Sequence, residues 1–278
     1  MRNVIACIDG AGYTKSVCDH AIWAAQRLKT PLEFLHVLIR QAEVNVDVSG
    51  SIGLGAHESL LQELSDLDER RSIVAREAGK QLLEGAKAFA LQAGIAQVGT
   101  LQRRGELTET LVGLQEETRL YVLGQHDHET KPKRLLLDHN LESAVRTLSR
   151  PILVANSTFA EPQRFMIAFD GSETGRKMVD MVAESPLLQG MACHIVMIGN
   201  AVEALQQAAA KLTTSGFDVV SHQLDGDAAP TLANHAREHD IDLLVMGAYG
   251  HSRIRHLVVG STTTAILRQS QIPVLVLR

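Results

Sequence analysis

The chain has 278 residues, 45% hydrophobic and 21% charged, enough apolar material for the packed cores of one large or two ordinary domains. A formal net charge of −5 argues against nucleic acid as the main partner, because a phosphate backbone asks for a clustered positive face. No run approaches the ~18 apolar residues of a membrane span, and Cys7, Cys18 and Cys193, with no C-x-x-C spacing, suit reduced thiols of a cytoplasmic protein rather than disulfides or a metal site.

In chain order, VIACIDG (4–10) is an apolar run ending in Asp-Gly. It predicts a strand, too short and too soon broken by Asp9 to be a signal peptide. FLHVL (34–38) predicts a second strand. The stretch from Arg40 to Arg71 begins as a Gly/Ser-bearing loop and turns helical, with Leu60, Leu61, Leu64 and Leu67 at helical spacing. Its GSIGLG (50–55) lacks the third glycine and the preceding strand of a nucleotide loop, and no phosphate is assigned to it. LYVLG (120–124) and RPILVA (150–155) predict strands on either side of the helix HNLESAVRTL (139–148). The polar segment NSTFAEPQ (156–163) separates a closing strand from an opening one, so domains are expected at 1–155 and 163–278. Asn156 heads a formal glycosylation sequon, idle in a cytoplasmic chain.

The second half repeats the alternation. RFMIAFD, CHIVMIG, FDVVSHQL, IDLLVMG and PVLVLR predict strands. The helices between them include one with Met178, Val179 and Val182 on one face and one closed by Gly216. The strands are short continuous apolar runs, which suits parallel sheets covered on both faces by helices. Two tandem, doubly wound, five-stranded α/β sheets of Rossmann-like type follow. Their ligand crevices are expected beyond the C-terminal strand ends, where strand order reverses.

The chain is in fact written twice. Asp9 aligns with Asp170 at an offset of 161, while Gly124 aligns with Gly247 at 123, so the first copy carries about 38 extra residues. The copies differ most after the fourth strand. In the second, Gly247, Gly250 and Gly260 lead into Ser261 and Thr262 at a helix start. Glycines permit close backbone approach, and unpaired N–H groups at a helix start suit phosphate. In the first copy Asp138 replaces Gly260 and His139 replaces Ser261, placing an N-cap carboxylate where a phosphate would sit. Such a pair costs roughly 1 kcal/mol per charge pair in water and about 4 at an effective dielectric of 20. Nucleotide binding is therefore expected in the second half only.

The spacing G-x2-G-x9-G-S, together with Asp170 at the end of the first strand of its copy, resembles the ATP-binding class of universal stress proteins, over essentially the whole chain. The resemblance implies a stress-response protein that binds ATP or a related adenine nucleotide, with or without magnesium, as a nucleotide-dependent regulatory module. It implies that Asp170 contacts the ribose or adenine side and that Ile198 lies near adenine. Met246 and Gly247 would shape the pocket behind the ribose. Gly250, Gly260, Ser261 and Thr262 would hold phosphates, with Arg253 a neighbour. Tyr249 and Thr262 depart from the family pattern. The resemblance further implies that the last strands of the two halves pair as an intramolecular pseudo-dimer, and it leaves open a homodimer of whole chains.

No catalytic constellation is legible, since the twelve histidines are scattered and none has an identifiable partner. HDHE (126–129) has ligand residue types at poor spacing, and no metal site is expected. Two other readings stay open: a weak ATPase or phosphotransferase in the same pocket, and an interaction or apolar-ligand protein working through the inserted helix.

Overall fold

A computed structural model describes residues 2–38, 54–125, 139–247 and 261–278. The first half runs β1 (Asn3–Cys7), α1 (Thr14–Leu28), β2 (Leu32–Leu38), α2 (Leu54–Gln92), β3 (Val98–Arg104), α3 (Leu107–Gly113), β4 (Thr118–Gly124), α4 (His139–Thr147) and β5 (Ile152–Ala155). The second runs β6 (Arg164–Phe169), α5 (Glu173–Glu184), β7 (Ala192–Ile198), α6 (Val202–Thr214), β8 (Asp218–Leu224), α7 (Ala228–Glu238), β9 (Leu243–Gly247), α8 (Ser261–Gln269) and β10 (Val274–Leu277).

The two five-stranded sheets expected from the sequence fuse into one sheet of ten strands, in the order β3-β2-β1-β4-β5-β10-β9-β6-β7-β8. Within each half every pairing is parallel. Only the junction is antiparallel, with Leu275 opposite Leu153 and Val274 opposite Val154. Alternate residues of each strand feed two apolar clusters on opposite faces. Val4, Ala6, Leu153 and Leu275 pack with α1, α2, α5 and α6, and Ile5, Tyr121, Val154 and Val276 pack with α3, α4, α7 and α8.

Side chains also bridge the halves. Arg27 Nε–H donates to the Leu187 carbonyl at 3.1 Å, Arg278 donates to the Leu148 carbonyl at 2.7 Å, and the Gln125 amide donates to the Leu267 carbonyl at 2.6 Å. Met178, Val179 and Val182 are buried as their spacing requires, and Gly216 takes φ +91° beyond the end of α6. The insertion does not form a separate unit. Its helical part is continuous with the second helix, giving α2 its 39 residues. The three cysteines are free thiols, and burial pushes Cys18 and Cys193 up to about 12, so they are inert core groups.

One buried polar group touches the connector between the halves. The His20 ring on α1 meets Phe159 edge-on, 4.8 Å between centroids. Its Nδ1–H donates to the Ser16 carbonyl at 2.8 Å, and its buried Nε2 has no partner among the described residues. Burial holds its pKa below the ordinary value, against a smaller upward pull from the Ser16 bond and Asp19.

Two outcomes are expected. Leu153→Ala, at the centre of the junction, lowers unfolding stability by about 2–5 kcal/mol, whereas Val112→Ala on an exposed helix position changes it by less than about 0.5 kcal/mol; urea titrations compare them. For His20, both states are neutral above about pH 6.5; as pH falls through that value the unfolded chain binds the proton first and stability is lost. Relative to His20→Phe, the parent therefore loses at most about 1.4 kcal/mol per pH unit between about pH 6.5 and the lowered folded-state pKa, read from urea midpoints across that range.

Candidate functional site

The strand order β10-β9-β6-β7 reverses direction of travel at β6, so the crevice of the second half lies over the C-terminal ends of β9, β6 and β7. Three of the sequence-selected residues meet there. Asp170 follows the last residue of β6, Ile198 ends β7 and Gly247 ends β9.

Asp170 is exposed but not loose. Its Oδ1 accepts from the Ser172 backbone N–H at 3.0 Å and from the Ser172 hydroxyl at 2.6 Å. The same hydroxyl oxygen accepts from the Gly175 N–H at 3.0 Å, capping α5. Gly171 makes this turn possible by taking φ +72°, a region closed to most side chains. Gly175 must also lack a side chain: a Cβ there would stand 2.6 Å from Asp170 Oδ1 and 3.1 Å from the buried Phe169 ring. The carboxylate is thus aimed by the turn that starts α5. The turn role and a ligand role are compatible, because Oδ2 has no partner among the described residues.

Ile198 is half-buried and packs on the second apolar cluster. Met246 is 5% exposed, paired in the sheet with Ala168 and Val276, so it supports the crevice floor from within. Thr262 is exposed in the first turn of α8, which begins at Ser261. Gly250, Arg253, Gly260 and the Ser261 side chain lie outside the described residues. So do Asp138 and the HDHE stretch in the first half.

The two crevices differ in a way the sequence reading missed. At Gly124, the end of β4, an added Cβ would be crowded by Tyr13 Cβ at 3.1 Å and Val17 at 3.3 Å. At Gly247 the nearest atoms are Met178 Sδ at 3.9 Å and Thr174 Cγ2 at 4.0 Å. Tyr13 and Thr174 correspond at the offset that pairs Asp9 with Asp170. The nearest atom is the Cβ of Tyr13, which threonine also carries, so the difference is a closer approach of α1 to the end of β4 than of α5 to the end of β9, and the exchange of residue types does not by itself signal it. A separate cavity of about 700 Å³ opens between α7 and α8, lined among others by Leu232, Arg237, Asp242 and Gln271. It lies by the N-terminal ends of β9 and β10, away from the crevice.

The model of the universal stress protein family matches residues 1–156 and 194–278. A universal stress protein of Synechocystis sp. is 34% identical over 287 residues, covering 100% of each chain. Among solved structures, a universal stress protein from Archaeoglobus fulgidus superposes with a TM-score of 0.75 at 16% identity, covering 99% of this chain and 96% of its own. A putative universal stress protein from Pseudomonas aeruginosa gives 0.62 at 17% identity, with 100% and 93% covered. The chain belongs to the universal stress protein family, and its α/β fold is that of these neighbours. Among the described residues no helix is long and apolar enough to cross a membrane.

The brace on Asp170 is open to test. Gly175→Ala is expected to cost about 1–3 kcal/mol through overpacking and displacement of the carboxylate. Gly85→Ala, within α2 and with nothing within 4 Å of the new methyl, is expected to stabilise by up to about 1 kcal/mol. Thermal unfolding of the two variants gives shifts of opposite sign.

Proposed function

We propose that the chain is a cytoplasmic, nucleotide-dependent regulatory module of the stress response. Its second domain, 163–278, binds ATP or a related adenine nucleotide, and its first domain, 1–155, does not. The observation that supports this most directly is the difference between the two strand-end crevices. Among the described residues a Cβ placed on Gly247 meets nothing nearer than 3.9 Å, while one placed on the equivalent Gly124 comes within 3.1 Å of Tyr13 Cβ. Asp170, Ile198 and Gly247 then border the adenosine end, and Gly250, Gly260, Ser261 and Thr262 take the phosphates, beside Arg253 and with or without magnesium. The antiparallel joint between β5 and β10 makes the chain an internal pseudo-dimer, and whole chains pair further as homodimers through other surfaces.

The test is a binding measurement on the intact chain. Denaturing the purified protein releases adenine nucleotide in this reading, and added ATP raises its melting temperature. Gly260→Asp weakens ATP binding by about a thousandfold, the equivalent of about 4 kcal/mol for one carboxylate against one phosphate charge at an effective dielectric of 20. Asp170→Ala weakens it and Asp9→Ala leaves it unchanged. Equal effects of the two aspartate variants, or no nucleotide and no thermal shift in the parent, would remove the proposal.

A further inference from the structure

Four of the scattered histidines come together in the second half. His194 lies on β7, His222 on the neighbouring edge strand β8, His235 in the last turn of α7 and His239 just beyond its end. All six pairs of ring centroids fall between 4.2 and 5.7 Å. His194 and His222 project from one face of the sheet, because His222 is in register with Val196, two residues on from His194. That is the face covered by α7, whose His235 and His239 share a helix face at i, i+4.

Imidazoles gathered in this way need an explanation, because among the described residues none of the four rings makes an ion pair with a carboxylate. Burial and mutual repulsion keep His194, His222 and His235 below their ordinary pKa, His235 at about 4, with Arg164 adding to the effect and Asp218 opposing it at His194. Without an ion, His194 Nδ1 and His235 Nε2 share one hydrogen bond, in which one ring donates and the other accepts. One nitrogen from each of His194, His222 and His235 lies within 4.8 Å of the other two. His194 Nδ1 and His235 Nε2 are 3.4 Å apart, close to the ~3.3 Å edge of a tetrahedron with metal–nitrogen bonds of about 2.0–2.1 Å. His222 Nε2 is buried with no hydrogen-bond partner among the described residues. An orphaned buried nitrogen on one of three clustered rings is what a bound cation would resolve.

We propose that His194, His222 and His235 form a binding site for a divalent transition metal of the zinc class. Nitrogen donors select such an ion over magnesium or calcium, which prefer oxygen. The His239 ring, within 5.1 Å of the other three centroids, borders the site. The ion ties edge strand β8 to β7 and to α7. His194 is four residues, about 13 Å along the strand, from Ile198 at the crevice, so this site is separate from the one proposed for nucleotide.

The experiment uses the full chain, free of any affinity tag and stripped with a chelator, titrated with zinc against a chromogenic competitor. One zinc per chain is expected, with a rise in melting temperature that magnesium does not produce, and cobalt in the same site gives the visible bands of a tetrahedral centre. His222→Gln and His235→Gln weaken zinc at least about 10–100-fold, the loss that removing even an outer partner produces. His36→Gln, on β2 in the first half, leaves it unchanged. Absence of stoichiometric zinc, or unchanged affinity in the His222→Gln/His235→Gln double variant, overturns the site. Should those variants fail to fold, diethylpyrocarbonate modification of the parent decides: zinc shields His194, His222 and His235 if the site exists, and equal modification with and without zinc overturns it.

Discussion

The antiparallel ladder between β5 and β10 is the constraint on which the rest of the molecule depends. Each half on its own would end in an edge strand of four buried apolar residues, ILVA or VLVL, with the backbone donors and acceptors of its outer side unpaired. Joining the two edges satisfies those groups and carries both apolar faces across the junction without a break. It also sets direction. Because the strands of one half run against those of the other, the two crevices open at opposite ends of the common sheet. Neither copy can shield the other's strand ends, and each was free to change.

The copies have used that freedom differently. Both keep an aspartate after the first strand, held by a short turn: Asp9 Oδ1 accepts from the Ala11 N–H at 2.9 Å, as Asp170 Oδ1 does from Ser172. The first copy then brings α1, at Tyr13 and Val17, close against Gly124 at the end of β4 and extends α2. At 1.5 Å per residue that helix is about 58 Å long, far more than the ~23 Å of the seven-residue β2 it covers. Only its later turns can reach the sheet. Leu83, Ala86 and Ala90 are buried, while Leu67, Ile73 and Val74 are exposed. The second copy keeps its helices short, and among the described residues a Cβ placed on Gly247 would meet nothing nearer than Met178 Sδ at 3.9 Å.

The described histidines of the second half gather towards one edge of the sheet. β8 has a neighbour on one side only and few buried side chains, with Val220 exposed. Packing alone anchors such a strand weakly, so polar contacts through its histidine have more influence there than they would at the centre of the sheet. In the first half the matching strand β3 is covered by α2 instead. His36 and Gln102 close over Gly79 so tightly that no side chain would fit there.

Much of this was legible in the sequence, for a local reason. Hydrophobic runs and their punctuation are set by residues adjacent in the chain, so the strands, the helix face of Met178, Val179 and Val182, and the doubling of the fold could be read directly. The offset that pairs Asp9 with Asp170 also brought the crevice residues to corresponding strand ends. What the tertiary structure alone decided are contacts between residues remote in sequence. The resemblance already implied that the last strands pair, but the antiparallel register that sets Leu153 opposite Leu275 was not legible; nor was the approach of Tyr13 to Gly124, or the meeting across β7, β8 and α7 of four histidines that read as scattered. Register and packing angle place such groups, and neither is written in any one segment.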